Sequence, residues 1–468
     1  MPHSSKNAHT NELESLFRGA AEEATHDERL VTRALKKGRM LGTGIELLSL
    51  MRAKPATAGP TMAQTLRKAT YLHSRERRFV SDALYLALRF RNLVSDALQH
   101  PQDDPNFPTT LWLASVMLLG QLPKHSIEQA WAAIVEQPCP DFAQLEPPYS
   151  VLSQTLEQQD PVQRIATLGS IHPGFARALT RSLGEQAFSF LLTCNQRAPM
   201  DLRVNQRRAN PQTVKQALEA EGISTDPLTL AVGGFRIHGR VNITASASYK
   251  SGHLEVQDEG SQLIAALVSE GDKIVDYCAG AGGKSLAIAD ALGDSVNLLC
   301  LDTRLTALKN LSRRAKRAGV KNIQTALVQR NSIHPSLWRA WREDADCVLV
   351  DAPCTGSGRL RRDPALRLRI DKAFIQQCQR QQLSILERAK AFVKPGGRLI
   401  YATCSVLTEE NEDVIHAFLQ ENPNFKTITP QFQEPHALAS CLTASGALQL
   451  TPHQHQTDGF FARVLQRH

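Results

Sequence analysis

The chain is 468 residues long, which calls for two to four domains and allows a large buried core without disulfide staples. Its 54 lysines and arginines exceed its 46 acidic residues, and the formal charge of +8 favours an acidic partner such as nucleic acid. Nine irregularly spaced cysteines, no charged-then-apolar leader and no apolar run near the ~20 residues of a spanning helix argue against a secreted disulfide scaffold and a membrane protein, and for a cytoplasmic one.

Residues 1–40 mix helix formers with many charges and little apolar periodicity, which predicts a mobile N-terminal extension. From Thr43 to Glu136 apolar residues recur at helical spacing in GIELLSLMR, RFVSDALYLALRFRNLVSDAL, TLWLASVMLLGQL and SIEQAWAAIVE, so an all-α domain is expected over 41–150. The proline-rich QPCPDFAQLEPPYS at its end reads as a linker. Over 160–255 short helical runs alternate with β-type runs such as MDLRVN and GFRIHG, which predicts linker helices and a small α/β module. After Val256 the alternation becomes regular: strands KIVDYC, NLLCLD, ADCVLVDAP and GRLIYATC are separated by helices KSLAIADAL, LTALKNLSRRAKRAG and FIQQCQRQQLSILERAKAFV, and ENEDVIHAFLQ follows. Repeated βα units with almost wholly apolar strands predict a doubly wound parallel sheet, an α/β Rossmann-like domain over 256–468. Ligands bind at the carboxyl ends of strands in such sheets, and the chemistry-bearing motifs fall there.

In VDYCAGAGGKS a strand passes into a helix through a glycine turn. Gly280, Gly282 and Gly283 permit positive φ and close backbone approach, and the helix N-terminus offers unpaired N–H groups. Residues Cys278, Ala279, Gly280, Ala281, Gly282, Gly283 and Lys284 are therefore candidates for holding a nucleotide or cofactor. A P-loop needs glycine where Cys278 stands and a dinucleotide fingerprint needs it where Ser285 stands, so neither pattern is met. Asp302 ends the next strand, where an acid can accept hydrogen bonds from both hydroxyls of a ribose. Taken alone, such an acid is as readily a helix cap.

DAPCTGSGRLRRDP, beginning at Asp351, and YATCSVLTEENE, beginning at Tyr401, share one design of apolar strand, cysteine and polar loop. A lone cysteine is more often a small buried hydrophobe than a reagent, so the question is whether Cys354 and Cys404 line one pocket. Asp351 is of the type that hydrogen-bonds a heteroaromatic ring nitrogen or exocyclic amine. Arg359, Arg361, Arg362, Arg367 and Arg369 offer phosphate contacts or, equally, a solvated charged face. Neither CxxC nor HxxxH occurs, and no metal site is expected.

In this order and spacing DYCAGAGGKS, LDTR, DAPCTGSGRLRRDP, YATCSVLTEENE and the terminal TDGFFARVL resemble the motifs of the NOL1/NOP2/Sun family of RNA 5-methylcytosine methyltransferases. APMDLRVN and VQDEGSQL resemble that family's small RRM-like module and its junction with the catalytic domain. SRERRFVSDALYLALRFR is similar to the NusB-like RNA-binding domain of the bacterial Sun-type enzymes that act on 16S ribosomal RNA. The resemblance implies a class I methyltransferase domain that uses S-adenosylmethionine to methylate cytosine C5 in RNA. Ribosomal RNA is the first substrate it implies and transfer RNA the alternative, with the enzyme a monomer; a non-catalytic RNA-binding assembly factor is the competing function. It further implies that Cys404 is the nucleophile, that Cys354 assists breakdown of the adduct and that Asp351 holds the base. The cofactor would lie against residues 278–284, Asp302, Asn331 and Asp351. Three positions depart from the family pattern: Ala281 replaces a proline, Asn331 an aspartate and Leu368 a tryptophan.

Overall fold

The structure, a computed structural model, describes residues 13–14, 17 and 27–468 apart from 148, 269, 330–331 and 432–436. The chain divides into two units, Met1–Arg197 with Arg359–Phe374, and Ala198–Gly358 with Ile375–His468. Of the expected extension over 1–40, residues 1–12, 15–16 and 18–26 lie outside the described residues, and Glu28–Leu35 is a helix capped by Asp27.

The first unit is helical. Helix Phe107–Gly120 is apolar on every side and buries nearly its whole length, as a central helix must. Its Trp112 is fully buried and donates its indole N–H to the Ala34 carbonyl at 3.0 Å, which satisfies its one polar atom. Segment Arg359–Phe374 follows directly on the Cys354 loop yet belongs to this unit, where Ala365 joins the same apolar core as Trp112. Arg367 is 1% exposed. Its Nε donates to the Gly169 carbonyl at 2.9 Å and its Nη2 to Asn195 Oδ1 at 2.8 Å, and burial lowers the guanidinium to about 9. Arg367 is therefore an internal strut and not a phosphate contact; of the five arginines offered by the sequence, Arg359 and Arg369 are exposed.

The second unit begins with β1 (Met200–Val204), β2 (Thr225–Pro227), β3 (Gly234–Ile237) and β4 (Leu254–Val256), an antiparallel sheet of order β2-β3-β1-β4. Helix Pro211–Ala220 joins β1 to β2. Charged pairs tie this module to the helices that follow: Arg203 to Asp290 of Gly283–Leu292 at 2.5 Å, and Glu255 to Arg314 at 3.1 Å and to Arg317 of Leu305–Ala318.

The main sheet is built from β5 (Lys273–Asp276), β6 (Asn297–Asp302), β7 (Ile323–Leu327), β8 (Ala345–Asp351), β9 (Val393–Thr403), β10 (Phe425–Ile428), β11 (Leu448–Leu450) and β12 (Phe460–Arg467). Its order is β10-β12-β9-β8-β5-β6-β7, with β11 paired to β12. The five strands β9, β8, β5, β6 and β7 run parallel, β12 is antiparallel to β9, and β10 and β11 are antiparallel to β12. Helices cover both faces, so the inner strands are apolar throughout; Cys300 and Cys347 serve there as small hydrophobes, and burial pushes the Cys347 thiol up to about 12. Strand order reverses between β5 and β8, which opens a crevice at their carboxyl ends. Among the described residues no helix is long and apolar enough to cross a membrane, and no cluster of three or more potential metal ligands occurs.

Candidate active site at the strand-order reversal

The glycine turn leaves β5 and caps helix Gly283–Leu292. Gly280 has φ +57° and donates its N–H to Asp302 Oδ2 at 2.8 Å. Gly282 has φ +83°, and a Cβ there would stand 2.5 Å from Leu311 Cγ, so only glycine brings the loop this close to the following helix. Burial pushes the Asp302 carboxyl up, but hydrogen bonds from Arg304 and Gly280 outweigh it and hold the group below its usual value. Asp276, at the end of β5, takes a hydrogen bond from Ser285 at 2.6 Å, while its other oxygen is buried without a partner. Burial above all, with the charges of Asp351 and Asp302, pushes Asp276 up to about 7. Asn331 lies outside the described residues.

Cys354 and Cys404 meet, with their Sγ atoms 3.3 Å apart and not joined in a disulfide. The reason is register: Asp351 on β8 stands beside Ala402 on β9, so the two cysteines leave neighbouring parallel strands almost level. The Gly358 N–H donates to the Cys404 carbonyl at 3.0 Å, and Ser357 and Ser405 join hydroxyls at 2.8 Å, stitching the loops together. The thiols are electrostatically unequal. The hydrogen bond to Cys404, then burial and the Glu410 carboxylate, push the Cys354 thiol well up. Lys284 faces Cys404 instead, with its ammonium 2.7 Å from Asp351 Oδ2. Burial lowers Lys284, but Asp351 more than compensates and keeps it cationic. A cation therefore neighbours Cys404, and an anion neighbours Cys354.

Three features of the site were not visible in the sequence. Lys284, read as part of the cofactor loop, reaches across to Asp351 and lies 5.6 Å over the Phe460 ring. Gly459, in the terminal TDGFF, packs on Gly358 so tightly that a Cβ at Gly358 would sit 2.1 Å from the Gly459 carbonyl oxygen. Glu410 is fully buried beneath both cysteine loops. The one signal for Glu410 was its place in an acidic run directly after Cys404, a pattern that exposed helix starts share.

The family described as "Methyltr_RsmF/B-like, ferredoxin-like domain" matches residues 172–244, and the one described as "16S rRNA methyltransferase RsmB/F" matches residues 264–466. The probable ribosomal RNA small subunit methyltransferase B of Bacillus subtilis (strain 168) is 31% identical over 306 residues, 65% of this chain and 68% of that protein. The chain belongs to the RsmB/F methyltransferase family. Ribosomal RNA small subunit methyltransferase B of Citrobacter koseri is likewise 31% identical, over 64% of this chain and 67% of its own length. The crystal structure of PH0851 superposes on 92% of this chain and all of its own with a TM-score of 0.68 at 25% identity. As an RsmB/F member the chain is an S-adenosylmethionine-dependent RNA methyltransferase, and its second unit carries the class I fold expected from the sequence. The loop suits that cofactor: two glycines at positive φ bring the backbone close, and Asp302 is an ionised acceptor at the next strand end.

Proposed function

We propose that this chain methylates carbon 5 of cytosine in RNA, 16S ribosomal RNA foremost, through a covalent bond between Cys404 Sγ and C6 of the base. The observation that carries the reading is the Cys354–Cys404 pair beside Lys284 and Asp351. Cytosine C5 is too weak a nucleophile to take a methyl group unaided. Addition of the Cys404 thiolate to C6 moves an electron pair onto the ring and makes C5 the attacking carbon of an enamine. Asp351 accepts the exocyclic amine, and the Lys284 ammonium stabilises the negative charge that develops at N3. Bound S-adenosylmethionine supplies an electrophilic methyl group. Residues 278–283 would hold that cofactor through their backbone and Asp302 through its carboxylate. Once C5 is methylated, the C5 proton passes to a water molecule with the assistance of Cys354; the C–H pair restores the C5–C6 double bond and Cys404 departs with its own bonding pair. A paired or stacked cytosine must first be splayed out of its helix.

The test is a denaturing gel of cysteine variants incubated with labelled RNA and cofactor. Cys404→Ala abolishes turnover and any protein–RNA link, because C5 is never activated. Cys354→Ala permits attack and methylation but slows release, so a denaturant-resistant adduct accumulates. An adduct with Cys404→Ala and none with Cys354→Ala would reverse the roles, as in enzymes that attack from a Pro-Cys motif. Mapping 5-methylcytosine in ribosomal and transfer RNA after incubation decides between the two substrates.

A further inference from the structure

We propose that Glu410 is a positioning residue for both thiols, its buried carboxylate tying the residue after Cys354 to the residue after Cys404. The inference rests on Cys404 being the nucleophile and adds the group that makes it so. Glu410 Oε1 accepts from the Thr355 N–H at 2.8 Å and from Gln382 Nε2 at 3.0 Å, and Oε2 accepts from the hydroxyls of Thr355 and Ser405, each at 2.5 Å. These donors come from the loop after β8, the loop after β9 and helix Lys372–Ala389. The Tyr401 hydroxyl also donates to the Glu410 backbone carbonyl at 2.5 Å. Three elements therefore converge on one residue that is 0% exposed.

Burying a carboxylate among neutral donors is costly, and an apolar filler of the same shape would serve stability as well. What a filler lacks is charge. Glu410 acts on Cys354, where its negative charge opposes loss of the proton, while Lys284 acts on Cys404. The other titratable groups around the pair are Asp351, Tyr401, Cys278 and Cys378; burial, then Glu410, raises Tyr401, and burial raises Cys278, so both stay protonated. Burial also raises Glu410 itself, against the pull of its four donors. The arrangement gives the two adjacent sulfurs a fixed order of ionisation, Cys404 before Cys354.

The test uses the full-length protein and the near-isosteric Glu410→Gln. Iodoacetamide labelling of each cysteine, followed against pH by mass spectrometry without RNA, reads the order of ionisation directly. In the wild type Cys404 labels at lower pH than Cys354. In Glu410→Gln the Cys354 profile moves to lower pH by roughly one unit. Its kcat for RNA methylation falls about tenfold or more, while cofactor affinity and the KM for RNA stay at wild-type values. An unmoved Cys354 profile together with wild-type kcat overturns the proposal. Should Glu410→Gln fail to fold, Ser405→Ala, which removes one donor and keeps the charge, carries the test: a wild-type kcat there also overturns it. Failure of the underlying reading shows separately, as a wild-type protein that makes no 5-methylcytosine whatever its thiols do.

Discussion

At the scale of single residues, two strand-end carboxylates behave oppositely because one is the more deeply desolvated and the other the better supplied with donors. Asp302 is held below its usual value by Arg304 and Gly280, whereas burial first, and then the charges of Asp351 and Asp302, push Asp276 up to about 7. Asp302→Ala is expected to weaken S-adenosylmethionine binding by about 1.5–3 kcal/mol, the loss of two charge-assisted hydrogen bonds, as measured by calorimetry. Unchanged affinity would remove Asp302 from the site. For Asp276 the folded value lies above the unfolded one, so its stabilising effect is complete below about pH 4 and is lost as pH rises through about 7. Asp276→Asn, neutral at every pH, should therefore gain in melting temperature relative to wild type between pH 6 and pH 8. A constant difference across that range would show that Asp276 does not titrate there. The candidates Cys354, Cys404, Asp351 and Asp302 were legible because each stands at the end of an apolar strand run. Glu410 was not, because burial of one acid within an acidic run is decided by partners up to fifty-five residues away in the chain.

At the scale of elements, Gly282 meets the tightest steric demand in the turn after β5. Gly282→Ala combines a positive φ with a Cβ 2.5 Å from Leu311 Cγ, and is expected to cost about 1–3 kcal/mol of stability, read by thermal unfolding, together with loss of cofactor binding. Wild-type stability and binding in that variant would show that the turn relaxes. The βα repeats from β5 to β9 were legible because buried parallel strands are continuous apolar runs. Strand β7 was not: it is the sheet edge, its residues are half-exposed, and IQTAL shows no such run. Strands β10 and β11 are only four and three residues long, below the length at which alternation is recognisable.

At the scale of the whole molecule, the chain crosses between its units more often than a linear reading allows. Arg359–Phe374 leaves the Cys354 loop, buries Ala365 and Arg367 in the helical unit and returns. Deleting residues 1–150 strips Phe79, Phe90 and Trp112 from the core that receives Ala365. Such a chain is expected to bind S-adenosylmethionine, since the loop and Asp302 belong wholly to the second unit, but to lose RNA methylation because the segment continuous with the Cys354 loop has lost its support. Calorimetry and a methylation assay on the truncated chain check this, and full methylation of structured RNA by it would refute the dependence.

The doubly wound sheet and the positions of the glycine turn, the strand-end acids and the two cysteine loops were readable along the chain, because each depends on local periodicity or on residue types at short spacing. Which groups face one another follows instead from strand order and packing. That Cys354 and Cys404 stand 3.3 Å apart follows from the β8–β9 register, that Lys284 serves Asp351 follows from adjacency of β5 and β8, and that Arg367 is a strut follows from its burial against Gly169 and Asn195. These are contacts between residues 50 to 198 positions apart, set by strand order and packing, to which a local pattern is blind.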